Sequence, residues 1–398
     1  MLIRKAYKFR LYPTPEQTKR LAVQFGHARF VYNHFLHERQ EKYAKTGVGL
    51  KYQSTARELT QMKRSEEYAW LREADSQVLQ QSLMDLEKGY HNFFGKRAGY
   101  PKYKSRKSKE SIRYPQRVKV SIEEKRTSLP KVGWVRTVYH RGIQGEIKNV
   151  TVSRTKSGRY FASFQVEMEQ PEPEYEGKPN GIDLGLREVV VLADGRKVSA
   201  PRYLVRAEKK LRRLMQGLSR KSLGSQGRER QRQRVARLHE KVTNQRIDFL
   251  HKLSRELVKE HSSLMIETLN IRGMIRNRRL AKGISDVGWG ELVRQLEYKG
   301  VWYGCQVVKV DRWYPSSKTC SNCGYVIEGK LSLGIRQWRC PQCGCEHDRD
   351  INAARNLKKQ TTVGTTGSKA SGVHVRPERT MIHQARTMKL EAPQLAAE

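Results

Sequence analysis

A chain of 398 residues has room for two or three domains, each with a core of its own. Its 79 Lys and Arg stand against 40 Asp and Glu, a net charge of +39, so polyanionic partners are expected rather than a merely soluble basic surface. The absence of any run of 18 apolar residues, of a signal peptide and of a lipidation motif argues against a membrane protein, and six cysteines are too few for a disulfide scaffold.

In chain order, residues 1–12 alternate, with Tyr7, Phe9 and Leu11 on one face and Lys8 and Arg10 on the other, the pattern of an edge strand. Pro13 and Pro15 close it and open a mainly helical stretch, 15–98, where Leu79, Leu83, Leu86, Tyr90 and Phe93 form one apolar stripe. Residues 99–118 read as a basic loop. Its cations, Lys102, Lys104, Arg106, Lys107, Lys109 and Arg113, are interleaved with Tyr100, Tyr103 and Tyr114, a mixture suited to phosphates and unpaired bases. Residues 116–170 read as strands, most clearly Tyr160, Ala162, Phe164, Val166 and Met168 at period two. With residues 1–12 they would close a small barrel into which the helical segment is inserted.

Pro171, Pro173, Pro179 and Gly181 mark a boundary, after which the pattern becomes strand, hairpin, long helices, strand, helix, strand. Residues 203–258 hold two basic helices. Leu211, Leu214 and Leu218 line the first; Val235, Leu238, Val242, Phe249, Leu253 and Leu257 line the second. The outer faces carry Arg228, Arg230, Arg232, Arg234 and Arg237, charge of one sign that suits a nucleic-acid backbone.

Cys320-x2-Cys323 and Cys340-x2-Cys343 form two knuckles, each followed by a glycine, Gly324 and Gly344. Two knuckles supply a closed tetrahedral set of four sulfurs, which suits one structural zinc ion; an iron–sulfur cluster or a redox pair would use the same residues. Cys345 competes with poorer spacing, and Cys305 reads as core. Cysteines paired as C-x-x-C point to metal in a reducing compartment, hence a cytosolic chain, or a nuclear one in a host with a nucleus.

Two acids end or interrupt apolar strands. Asp183 lies in Gly181-Ile182-Asp183-Leu184-Gly185, and Glu267 follows Leu264-Met265-Ile266. A third, Asp350, opens the helix Asp350-Ile351-Asn352-Ala353-Ala354-Arg355-Asn356-Leu357. An inward acid costs several kcal/mol, on the order of 2–7, unless it is paired or binds metal. Two divalent cations would set +4 against −3 and serve phosphodiester hydrolysis; magnesium suits carboxylates, waters and phosphate oxygens, with manganese as a substitute. The competing reading pairs each acid with a nearby arginine.

Together these segments resemble the TnpB family of transposon-encoded RNA-guided DNA endonucleases, relatives of the compact type V CRISPR nucleases. The resemblance runs through Phe9-Arg10-Leu11-Tyr12-Pro13, Ala28-Arg29-Phe30-Val31-Tyr32-Asn33, Gly181-Ile182-Asp183-Leu184-Gly185, Ile266-Glu267, Pro315-Ser316-Ser317, the paired cysteines, and His347-Asp348-Arg349-Asp350-Ile351-Asn352-Ala353-Ala354-Arg355-Asn356. It implies a multidomain α/β protein. An RNase H-like (RuvC) nuclease domain (180–317 and 347–360) would hold an inserted zinc ribbon (318–346). A β-barrel wedge domain (1–12 and 116–175) would carry an inserted helical recognition domain (13–115), and a tail of no assigned role would follow from 361. Asp183, Glu267 and Asp350 would be the catalytic, magnesium-binding triad; Asp348 is a rival that the family pattern ranks second. The implied partners are a transposon-derived guide RNA and double-stranded DNA, with one monomer per RNA. Residues near Tyr52, Ser76, Gln77 and Gln80 would read a short target-adjacent motif. Lys102, Tyr103, Lys104, Arg106, Arg232 and Arg234 would contact nucleic acid. In a prokaryotic host the protein would be cytoplasmic and nucleoid-associated when on DNA. The alternatives are an RNA-guided repressor with a decayed nuclease and an RNA-independent RNase H-like transposase or resolvase; the presence of all three acids argues against decay.

Overall fold

The computed structural model describes residues 1–106, 109–174, 177–329, 331–332 and 334–360. Lys107 of the basic loop and the expected tail, 361–398, lie outside the described residues.

Alternation in β1 (Leu2–Tyr12) buries Ile3, Tyr7, Phe9 and Leu11 and leaves Lys8 exposed and Arg10 partly exposed. β1 is nevertheless not an edge strand, as the sequence suggests. It pairs with two neighbours in a seven-stranded antiparallel sheet, and the Lys8 and Arg10 cations lie over the Phe161 ring at 4.5 and 5.2 Å. A polar alternate face means one wet side of a sheet, which a central antiparallel strand also has.

Thr14 caps α1 (Pro15–Thr46) in a reciprocal capping box with Gln17, with Pro15 at the first turn, and Gly47 ends it at φ 66°. α2 (Tyr52–Met62), a 3-10 turn (Ala69–Glu73) and α3 (Ser76–Phe94) follow. Val31, Phe35, Leu36, Leu59, Leu71, Leu79, Leu83 and Leu86 make the core of this helical unit.

The remaining sheet strands are β2 (Glu110–Tyr114), β3 (Lys119–Ser121), β4 (Arg126–Leu129), β5 (Gly133–Val138), β6 (Glu146–Arg154) and β7 (Tyr160–Glu169), in the spatial order β2-β6-β7-β1-β5-β4-β3. β2 begins inside the expected basic loop, because Ile112 and Tyr114 alternate into the sheet core. The flanking cations hid that short alternation.

The second half is α/β. β8 (Asn180–Asp183), β9 (Glu188–Leu192) and β10 (Lys197–Ser199) precede the helical hairpin α4 (Tyr203–Ser219) and α5 (Gln226–Glu260). Next come β11 (Ser263–Glu267), α6 (Ile271–Met274), α7 (Arg278–Val287), α8 (Trp289–Tyr303) and β12 (Gln306–Val310). β13 (Gln337–Arg339), β14 (Glu346–Asp348) and α9 (Arg349–Lys359) complete it. The sheet runs β10-β9-β8-β11-β12, with β8, β11 and β12 parallel. Ile182, Leu264 and Ile266 face α5 and α8, while Met265 and Val310 face α9 through Leu357. None of the leucines of α4 is fully buried; the helix packs along α5 and meets α7 through the Glu208–Lys282 pair and through the Leu204 amide, which donates to Asp286 at 3.1 Å.

Among the described residues the two halves meet through side chains of both. Gln170 Nε2 donates to the Trp302 carbonyl at 2.8 Å, and Glu240 of α5 meets Ser157 and Arg159 of the β6–β7 turn. No helix among the described residues is long and apolar enough to cross a membrane.

Candidate active site and metal centre

Parallel pairing places two acids side by side. Ile266 stands opposite Ile182, so Glu267 and Asp183, each the last residue of its strand, emerge at the same sheet edge. The third acid reaches them through a close approach of α9 to β8. A Cβ built on Gly181 would lie 2.0 Å from the Ala354 carbonyl oxygen and 2.6 Å from the Lys358 nitrogen, so only glycine lets the helix sit this close. Asp350, in the first turn of α9, is thereby brought within electrostatic reach of Asp183.

The electrostatics are those of an acidic site that two nearby cations, Arg349 and Arg336, offset only in part. Burial first, then Glu267 and Asp350, push the Asp183 carboxyl up to about 8. Burial likewise raises Glu267. Neither side chain has a hydrogen-bond or ion-pair partner among the described residues. Asp350 does: Arg336 of the ribbon donates to its two oxygens at 3.2 and 3.1 Å. The arginine-pairing alternative therefore describes one acid of the three. Asp348 is engaged otherwise. It caps α9 by accepting from the Asp350 and Ile351 amides at 3.1 and 3.0 Å, and Lys197 pairs with it at 2.6 Å. The three carboxylates do not come within 4.8 Å of one another as a set; among the described residues only the four cysteines do. Three hard oxygen donors, two of them unpartnered, fit a divalent cation such as magnesium.

The cysteine sulfurs of residues 320, 323, 340 and 343 all lie within 4.8 Å of one another, with Cys320 to Cys343 at 3.6 Å and Cys323 to Cys340 at 3.7 Å. This donor set fits one zinc ion. Gly324 and Gly344, at φ 83° and 69°, turn each knuckle, but their amides donate to the Cys320 and Cys340 carbonyls at 2.9 Å rather than to sulfur. The amides aimed at sulfur include that of Cys323, 3.5 Å from Cys320 Sγ, and those of Tyr325 toward Cys323 and Cys345 toward Cys343. His347 Nε2 lies 3.0 Å from Cys320 Sγ. Cys305 is core, its thiol pushed by burial up to about 11, and Cys345 stays outside the set.

Several residues matter more than sequence reasoning indicates. Asn352 and Asn356, one turn apart on α9 and 1% exposed, clasp the base of the ribbon. Asn352 Nδ2 donates to the Thr319 carbonyl at 2.7 Å, and its Oδ1 accepts from the Ser321 amide at 2.8 Å. Asn356 donates to the carbonyls of Ser316 at 2.8 Å and Thr319 at 2.6 Å. Asn33 similarly pins the basic loop by exchanging two bonds of 2.8 Å with the Lys104 backbone. All three belong to motifs quoted above, but a motif match does not say which backbone an amide will meet.

The nucleic-acid candidates are scattered rather than gathered into one site. Lys102, Tyr103 and Arg106 are exposed, while Lys104 lies over the Tyr32 ring at 3.8 Å. Tyr103 donates to Gln40 at 2.7 Å. Ser76, Gln77 and Gln80 open α3, with Gln77 bonded to Gln116 at 3.2 Å; Tyr52 packs at the start of α2. Arg232 pairs with Glu229 at 2.9 Å, and Arg234 projects into solvent.

With this geometry in place, known proteins provide comparisons. Three family models match: "Cas12f1-like, TNB domain" over residues 289–357, "Probable transposase" over 163–278 and "Helix-turn-helix domain" over 1–47. Over the last span the structure has a strand and one unbroken helix, so that description does not fit the local fold. A Streptomyces pristinaespiralis protein named "Putative RNA-guided DNA endonuclease" is 38% identical over 99% of this chain and 97% of its own length. The InsQ protein of Escherichia coli K12, similarly named, is 36% identical over 89% and 91%. Among solved structures, Cas12f1 in its complex with sgRNA and target DNA aligns with TM-score 0.56 at 14% identity, over 90% of this chain and 99% of that one, a likeness of fold.

Proposed function

We propose a function that starts from one premise: the chain belongs to the TnpB family of RNA-guided DNA endonucleases. It binds a transposon-derived guide RNA, recognises a short target-adjacent motif and cuts double-stranded DNA at the site formed by Asp183, Glu267 and Asp350. The observation that supports the catalytic assignment is that Asp183 and Glu267 emerge side by side at one sheet edge, unpartnered among the described residues, with Asp350 of α9 within electrostatic reach and Asp183 held at about 8. A stable protein does not keep unpaired inward carboxylates without a ligand for them.

These acids would hold two magnesium ions. The chemistry that bound magnesium supplies in such a site is activation of a water and charge neutralisation at the leaving 3′-oxygen. The protein's own part is positional: β8 and β11 fix two carboxylates in register, and α9 delivers the third from across the sheet. Arg336 holds Asp350 when no cation does, and its exposed guanidinium is free to turn to a phosphate afterwards. The four cysteines would hold a structural zinc, and sequence selection would fall to base pairing with the guide, the basic surfaces gripping backbone.

The test is a purified guide-RNA complex given a matching plasmid target and magnesium. Asp350→Ala and Asp183→Asn should reduce cutting by at least about a thousandfold while RNA binding persists. Cleavage retained in either variant rejects the triad. A protein that purifies free of RNA and still cuts rejects the guided mechanism.

A further inference from the structure

The loop after β12 presents a tryptophan that the fold does not use. Trp313 is 79% exposed, whereas Trp289 and Trp338 are 3% and 9% exposed. Its position follows from topology. Val310, the last residue of β12, stands opposite Glu267, so the loop from Asp311 to Tyr314 leaves the sheet at the edge where the acids emerge. Ligands of open parallel sheets bind at this edge, beyond the carboxyl ends of the strands.

The loop is braced on both sides. Asp311 Oδ1 accepts from the Trp313 amide at 2.7 Å, and Thr268, the neighbour of Glu267, donates to the Val310 carbonyl at 2.7 Å. Tyr314 packs inward against the core of Met265, Val310 and Leu357. The backbone thus turns Tyr314 in and Trp313 out. Arg312 lies over the outward ring at 4.9 Å and has no acidic partner among the described residues. An apolar ring of this size in water, stiffly held and carrying an unpaired cation, is what a nucleobase stacks on, with the cation facing its phosphate.

We propose that Trp313, with Arg312, is a stacking platform for an unpaired base of the DNA strand entering the carboxylate site. The proposal rests on the nuclease reading above. Stacking is indifferent to base identity, so such a platform places a strand without selecting its sequence. Trp313 is a positioning residue for the scissile phosphate and performs no chemistry.

The experiment uses the guide-RNA complex with magnesium, under single-turnover conditions, on duplex targets carrying one abasic nucleotide at successive positions around the cuts. Trp313→Ala should slow cleavage of an intact target about tenfold, the usual scale for one base–aromatic stack, and Trp313→Phe should restore most of the rate. At one position, or two adjacent ones, an abasic site should slow the wild-type complex to a similar degree and cause no further loss in Trp313→Ala. A wild-type rate for Trp313→Ala, or losses that multiply at every position, overturns the platform. Should Trp313→Ala be unstable, the abasic scan of the wild type decides alone, since a scan with no sensitive position also overturns it. Asp183→Asn separates the two readings: if it still cuts, the nuclease assignment fails; if it is inert while Trp313→Ala is normal, only the platform fails.

Discussion

Asp183 concentrates the electrostatic cost of the site in one residue. Its carboxyl is pushed up to about 8 by burial and by the acids beside it, from an ordinary value of 3.8. A carboxyl raised on folding contributes stability that is complete below its unfolded value and is lost as pH rises through its folded one. The metal-free protein should therefore lose stability progressively between about pH 4 and about pH 8, where the unfolded chain has already released the proton that the folded state still holds. Magnesium favours the ionised form, so its stabilising effect should run the opposite way. Thermal melts in magnesium and in chelator should differ little near pH 5 and by a few degrees, on the order of 3–6 °C, near pH 8. Asp183→Asn removes the charge and should flatten this dependence. An equal magnesium shift in that variant would place the cation elsewhere.

The element on which the site depends is α9, held from two directions. Against the sheet it relies on Gly181, where a methyl group would collide with backbone and cannot be absorbed by a rotating side chain. Gly181→Ala should displace α9, separate Asp350 from Asp183 and cut cleavage at least about a hundredfold, with RNA binding kept. Toward the ribbon it relies on Asn352 and Asn356. Asn352→Ala leaves the Ser321 amide and the Thr319 carbonyl without that partner, a cost of about 1–3 kcal/mol. The same clasp gives the zinc ribbon its bearing on catalysis: Cys320→Ser with Cys323→Ser should slow cutting by loosening the base that Asn352 grips, and a normal rate in zinc-free protein would make the ribbon peripheral. Much of this was legible in the sequence. Apolar runs ending in Asp183 and Glu267 announce strand ends, and cysteine spacing announces the ribbon, because both are local patterns. β2 was hidden among lysines, and β1 read as an edge because one wet face looks alike in edge and central strands. The asparagine clasp and the outward turn of Trp313 depend on which backbone arrives from elsewhere, which no local pattern records.

At the scale of the whole molecule, a charge of +39 is too large to be neutralised internally, and the acids that do form ion pairs decide which cations remain for RNA. A free cation meeting a phosphate releases a counterion and adds about 0.7 to 0.9 to the slope of log affinity against log salt. One already committed adds less, since what it gains at the phosphate it surrenders elsewhere. Arg234 and Lys102 are exposed with no acidic partner among the described residues, whereas Arg232 is held by Glu229 and the Lys104 ammonium rests on the Tyr32 ring. If α5 and the basic loop both track the guide, Arg234→Ala and Lys102→Ala should each lower the slope for guide-RNA binding by about 0.7, and Arg232→Ala and Lys104→Ala by clearly less. The measurement is a binding titration at four or more salt concentrations for each variant. Equal losses from all four would mean that net charge alone attracts the RNA; no loss from Arg234→Ala would remove α5 from its path and leave the grip to the N-terminal half.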